Sequence, residues 1–212
     1  MSKIRTIVIG DIHGCFNTLV NLLEKINYDK QNDKLIFLGD YIDRGKNSFE
    51  VVEYLIKLQK EVGCDRCICL LGNHEYMDYT DEELWKLNGG NKTIKSYYKN
   101  NVPRYIHHWW FKTLPLMYEE KDFICCHAGL PMTKTSDNTP DDILWDRDWI
   151  KTKVEPNEKT VIFGHTPSAN LAYKTINGNI CIDTACVFGY QLCAMIIDDK
   201  MEFVYENKSE LD

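Results

Sequence analysis

Residues 4–14 read Ile-Arg-Thr-Ile-Val-Ile-Gly-Asp-Ile-His-Gly, and residues 35–45 read Leu-Ile-Phe-Leu-Gly-Asp-Tyr-Ile-Asp-Arg-Gly. Each is a short apolar run that stops at Gly-Asp, the pattern of a buried strand breaking into a loop. The pattern recurs where Cys67–Leu71 runs into Gly72-Asn73-His74-Glu75, Phe123–Cys126 into His127-Ala128-Gly129, and Val161–Phe163 into Gly164-His165-Thr166. Between the first three runs lie two helical stripes, Phe16, Leu19, Val20, Leu23 and Ile26, then Phe49, Val52, Leu55, Ile56 and Gln59. Strand, helix, strand, helix, strand predicts a parallel sheet at the start of the chain.

Working outward, Ile180–Ile182, Leu192–Ile197 and Glu202–Tyr205 add strands, the last two joined by a hairpin turn at Asp198-Asp199-Lys200. The stretch at about 76–113 has no strand pattern. It offers helical pieces at Asp81–Trp85 and Lys92–Tyr98 and is predicted to be a helical excursion from the sheet. No linker rich in Pro, Gly or Ser divides the 212 residues, so residues 1–212 are expected to form one domain.

Composition narrows the function. A net charge of -7, with no basic stripe, argues against a nucleic-acid groove, and no apolar run is long enough to span a membrane. Nine cysteines without a secretory signal predict free thiols in a cytoplasmic protein. Cys64, Cys67 and Cys69 lack the second pair that a zinc knuckle needs and are expected in the core. An acidic chain that binds phosphate needs a local positive field, which divalent metals held by its carboxylates supply.

Five strands deliver an Asp, Asn or His at their C-terminal ends, where open α/β sheets place their sites. On extended backbone residues two apart point the same way, so Asp11 and His13 can present a carboxylate and an imidazole to one ion. Four of the six histidines fall at these strand ends; His107 and His108 are assigned to packing or solvent.

The motifs GDIHG, GDYIDRG, GNHE, HAG and FGHT, in this order, resemble the metallophosphoesterase signature. Asp43-Arg44, with Leu144-Trp145-Asp146-Arg147, resembles the bacterial and phage branch of the phosphoprotein phosphatases. The resemblance implies an α/β fold, a β-sandwich of two mixed sheets flanked by helices. It implies one metal on Asp11, His13 and Asp40 and a second on Asp40, Asn73, His127 and His165, with Asp40 as the bridge. The donors suit two divalent ions, Mn²⁺ first, with Fe or Zn as alternatives, which would acidify a shared water to attack phosphorus in line.

Within that resemblance His74 reads as the general acid. Asn73 points to the metal, and adjacent side chains on extended backbone diverge. Asp43 is similar to the carboxylate that orients such a His, and Arg44 and Arg147 to phosphate clamps. For Arg147 the alternative is a surface ion pair with Asp146 or Asp148. The sequence departs from many bacterial relatives at Ala185, where they carry Gly in Asp-Thr-Gly, and at Tyr190. The implied activity is that of a Ser/Thr protein phosphatase acting on a phosphoprotein or phosphopeptide, with two or three aromatics of the excursion lining a peptide groove while Trp85 and Phe111 are expected to pack on the core. The alternatives are a symmetrical diadenosine tetraphosphatase, a branch typically with Ala at position 43 and Asp at 75, and a metal-free scaffold.

Overall fold

The computed structural model describes residues 4–132, 134–151 and 159–212. Its strands are β1 (Arg5–Ile9), β2 (Asp33–Phe37), β3 (Cys67–Cys69), β4 (Met117–Glu119), β5 (Phe123–Cys126), β6 (Thr160–Phe163), β7 (Tyr173–Lys174), β8 (Ile180–Cys181), β9 (Gln191–Ile197) and β10 (Met201–Asn207). The helices are α1 (Phe16–Lys25), α2 (Ser48–Val62), α3 (Asn73–Thr80), α4 (Glu82–Trp85), α5 (Asn91–Lys99), α6 (His108–Phe111) and α7 (Pro140–Trp145).

Two five-stranded mixed sheets result, in the orders β10-β9-β1-β2-β3 and β4-β5-β6-β8-β7. In the first, β1, β2 and β3 are parallel and the β9–β10 hairpin adds antiparallel on the far side of β1. In the second, β5, β6 and β8 are parallel and β4 and β7 cap the edges antiparallel. The period of two along each strand stacks these sheets into layers. Val8, Ile36, Leu38 and Ile68 face Phe123, Cys125, Ile162 and Ile180 between the sheets. Their neighbours Ile7, Ile9, Leu35 and Phe37 point the other way, onto Leu19, Leu22, Val52 and Leu55 of α1 and α2. Ile124, Cys126, Val161 and Phe163 cover the outer face of the second sheet with Ile143 of α7 and Trp149. Strands buried on both faces read as continuous apolar runs, as these do.

The sandwich of two mixed sheets flanked by helices is the fold the motifs implied. Met117–Glu119 and Tyr173–Lys174 went unread as strands, because two or three residues are too short to show a period. The third motif also differs: Asn73 and His74 open α3 and do not extend the strand. Asp198 and Lys200 close the β9–β10 turn as expected. The nine cysteines are free; Cys64 is exposed and the other eight are buried. No helix among the described residues is long and apolar enough to cross a membrane.

A residue distant in sequence fixes the start of α1. Its N-cap position, Cys15, makes no side-chain cap bond, and Asp212 supplies one from across the molecule. The Asp212 carboxylate accepts from the Asn17 and Thr18 backbone N–H groups and from the Thr18 hydroxyl. An acidic cap at a helix N-terminus stabilises by about 1 kcal/mol. Here it steadies the helix that leaves the loop carrying Asp11 and His13.

Candidate active site

The chain bends sharply where the strands end. His13, Asp40, Asp43, Arg44 and His165 all sit at positive φ, from 46° to 73°, a region that costs a non-glycine residue about 1 kcal/mol or more. The extended geometry expected for Asp11 and His13 therefore does not hold; His13 turns in the left-handed region. Packing over-determines these bends. The His13 and Ile12 N–H groups both donate to the Asp40 carbonyl, and the Gly14 N–H to that of Tyr41. Glu75, buried on α3, accepts from the backbone N–H groups of Asp40, Tyr41, Ile42 and Gly72 and so holds the second loop in shape. Two glycines are required by close approach. A β-carbon at Gly164 would strike the Asp11 carboxylate, and one at Gly72 would strike Asp40.

Asp40 stands at the centre. Its Oδ2 lies 3.3 Å from His13 Nε2 and 3.8 Å from His74 Nε2, whereas Oδ1 lies 3.4 Å from His127 Nε2. The two oxygens thus face two different groups of nitrogen donors. His13 Nδ1 sits 2.7 Å from the Ile42 carbonyl and His127 Nδ1 2.9 Å from that of Leu38. Each carbonyl accepts the Nδ1 proton, which leaves the Nε2 lone pair aimed inward. Asn73 Oδ1 approaches His127 Nε2 at 2.9 Å and His165 Nδ1 at 3.1 Å. Among the described residues the groups able to grip a cation are therefore His13–Asp40–His74 and Asp40–His127–His165, with Asn73 inside the second. Asp11 lies at their edge, its carboxylate accepting the His165 backbone N–H.

The electrostatics suit two divalent cations. Burial resists ionisation of Asp40, but the facing imidazoles of His127, His74 and His13 outweigh it and hold the carboxyl well below its usual range. Asp11 is pushed up by burial and by the charges of Asp183 and Asp40, and Asp183 is raised chiefly by burial. Three acids crowded below the surface repel one another unless cations lie among them. Burial lowers His127 and drives His165 down to about 3, which favours lone pairs over protons on both rings, as a metal requires, while the Asp40 charge opposes it.

Beside this cluster His74 Nδ1 bonds Asp43 Oδ2 at 2.7 Å, and the Thr93 hydroxyl donates to Asp43 Oδ1 at 2.6 Å. Asp43 is fully buried, and burial pushes its carboxyl up while the Thr93 bond pulls it down. Burial likewise disfavours the charged form of His74, with Asp40 opposing. His74 Nε2 faces the Asp40 side, where a reacting group would sit. The divergence of Asn73 and His74 holds, but it is the 100° step of a helix start that separates them and not an extended backbone.

Arg44 donates from Nη1 to His13 Nε2 at 2.6 Å, and its guanidinium lies 5.5 Å from the centre of the exposed Phe188 ring. Arg147 donates to the His165 carbonyl at 3.1 Å. Its flanking acids are engaged elsewhere, Asp148 with Lys151 and Asp146 with the N–H groups of Asp148 and Trp149. Both arginines therefore border the cluster. His107 and His108 pack away from it, bonded to Glu53 and Asp78. The sequence reading left out Asp183, Glu75 and Thr93. Asp183, in Asp-Thr-Ala after β8, had the strand-end signal; Glu75 and Thr93 act through folded contacts that no local pattern encodes.

A fold and a cluster of this kind define a metal-dependent phosphoester hydrolase. The profile of the calcineurin-like phosphoesterases matches residues 4–195, and the chain belongs to that family. Bis(5′-nucleosyl)-tetraphosphatase PrpE of Oceanobacillus iheyensis, of the asymmetrical kind, is 29% identical over 93% of this chain and 90% of its own length. Serine/threonine-protein phosphatase 2 of Salmonella typhimurium is 30% identical over 74% of this chain and 78% of its own length. A protein serine/threonine phosphatase from Saccharomyces cerevisiae shares the fold, with a TM-score of 0.75 at 17% identity, over 99% of this chain and 81% of that one.

Proposed function

We propose that this protein hydrolyses a phosphoanhydride bond of a dinucleoside tetraphosphate. The observation that carries the substrate class is the likeness to the Oceanobacillus iheyensis tetraphosphatase along nearly the whole of both chains. Two divalent ions, Mn²⁺ by the mixed Asp, His and Asn donors, would be held by Asp11, His13, Asp40, Asn73, His127 and His165. When bound they supply Lewis acidity to the phosphate and an acidified water as nucleophile. Arg44 and Arg147 pair with phosphate oxygens and set the phosphorus for in-line attack. As the water oxygen bonds to phosphorus the bridging oxygen departs, and His74, held by Asp43, gives it a proton from Nε2.

The original expectation of a phosphopeptide groove built from the excursion finds little support in its aromatics. Trp85 and Phe111 are buried as expected, Tyr97 and Trp110 are buried too, and Tyr76 and Tyr79 pack on the core, which leaves Tyr98, Tyr105 and Trp109 exposed. Exposed Trp109 lines a different groove, with Gln59, Lys60, Cys64 and Leu114. A second reading, a Ser/Thr phosphatase, is favoured by the Asp43–His74 pair, because an alkoxide leaving a phosphoserine needs protonation more than a leaving phosphate does. The Salmonella typhimurium relative supports it too. Metal-stripped protein with Mn²⁺ restored should show a higher kcat/KM for diadenosine tetraphosphate than for a phosphoserine peptide. Its products should be a mononucleotide and a triphosphate. A better phosphopeptide substrate would establish the second reading instead.

A further inference from the structure

We infer that the groove between residues 169–172 and 189–191 is the subsite for one nucleoside of the substrate, with its base stacked on Tyr190. The inference rests on the dinucleotide reading and adds where the nucleoside lies. Both walls come from the active site by short paths. One starts at Ala169, four residues after His165 and next to Ser168, whose N–H bonds the carbonyl of Asp183. The other follows Asp183 through a tight turn whose ends are left-handed, Ala185 at φ 57° and Gly189 at φ 98°. Ala185 is anchored to Asp183 Oδ1 through its N–H. The two sequence departures, Ala185 and Tyr190, thus bracket the turn that carries Phe188 outward.

The cavity has a volume of about 800 Å³, within the usual range for small-molecule sites, and its chemistry suits a base with a phosphate tail. Tyr190 and Leu171, both exposed, offer a flat ring and an apolar surface. Asn170 brings a carboxamide, and Gln191 and Asn207, bonded to each other from Nε2 to Oδ1 at 2.8 Å, leave their remaining amide atoms to match the donor and acceptor edge of a purine. Lys208 supplies positive charge, and no carboxylate is among the lining residues. Its ammonium is held by the Val187 carbonyl at 2.8 Å, which ties it to the same turn. Distance also agrees. Phe188 touches Arg44, and Tyr190 lies two residues further on, so the groove is on the order of 10 Å from the phosphate clamp, the reach of a short phosphate chain.

The test compares wild type with Tyr190→Ala and Tyr190→Phe on diadenosine tetraphosphate and p-nitrophenyl phosphate, and measures AMP binding by calorimetry. Tyr190 touches no reacting group, so p-nitrophenyl phosphate turnover should be unchanged in both variants. Tyr190→Ala should raise KM for the dinucleotide and Kd for AMP about tenfold, the range of one lost base stack, while Tyr190→Phe keeps wild-type values. An unchanged dinucleotide KM and AMP Kd, or an equal loss on p-nitrophenyl phosphate, would overturn the subsite. If wild type cleaves p-nitrophenyl phosphate but not the dinucleotide, the substrate reading fails by itself. AMP binding then decides the subsite: a Tyr190-dependent Kd upholds it, and no binding overturns it.

Discussion

An Asp40→Asn change preserves the size of a side chain whose two oxygens face His13 and His74 on one side and His127 on the other, and removes the charge that lets it hold two cations. Elemental analysis should find Asp40→Asn depleted of metal, and Asp43→Asn close to wild type, because Asp43 contacts His74 and Thr93 and lies outside the donor groups. Equal depletion would contradict that division. His74→Asn should lower kcat by about 10²–10⁴ on an alkyl phosphate and by less on p-nitrophenyl phosphate, whose leaving group needs little protonation. A loss independent of the leaving group would assign His74 another role. At this scale the sequence was informative. Five strand ends that repeat one pattern drew attention to Asp11, His13, Asp40, Asn73, His127 and His165, and the family resemblance divided them between two metals. Their left-handed backbone was not legible, since positive φ at His13 or Asp40 is imposed by neighbours and leaves no mark in residue type.

The loops that carry these residues are held by elements distant in sequence. Glu75 of α3 gives the 40–42 turn its acceptors. Burial raises its carboxyl to about 8, with the Asp40 charge adding and the backbone N–H groups of Ile42, Tyr41 and Asp40 pulling it back. Above pH 8, where the carboxyl is ionised, Glu75→Gln turns one acceptor oxygen into a donor against that row of N–H groups. The expected loss is about 2 kcal/mol, or roughly 4–8 °C in Tm for a chain of this size, and calorimetry that finds no change would refute it. The helical excursion has a similar part: Thr93 of α5 holds Asp43, and Gly89 packs on Arg44. Thr93→Val should therefore lower kcat about tenfold with metal content unchanged, a change that a lid function alone would not give. The excursion's existence was legible from its lack of strand period, but its purpose was not. Aromatic content suggested a wall, whereas Trp85, Tyr97, Trp110 and Phe111 are buried and only Tyr98, Tyr105 and Trp109 are exposed.

For the molecule as a whole, the sandwich follows from strands that are apolar on both faces. Val8 and Ile36 enter the layer between the sheets while Ile7, Ile9 and Leu35 meet the helices. The apolar runs made the strands β1, β2, β5 and β6 readable and the resemblance supplied the sandwich, whereas β4 and β7 emerge only once an edge of the second sheet needs a partner. Function was legible to the level of phosphoester hydrolysis. The substrate was not: around the turn after Asp183, Ala185 and Tyr190 read in sequence only as departures from a pattern. The claim beneath all of this is that Asp40 joins two metal sites. Anomalous scattering from a crystal of the Mn²⁺-loaded protein tests it most directly. Two peaks are expected on either side of the Asp40 carboxylate, one against His13 and the other among Asn73, His127 and His165. A single peak, or two that Asp40 does not join, would contradict it.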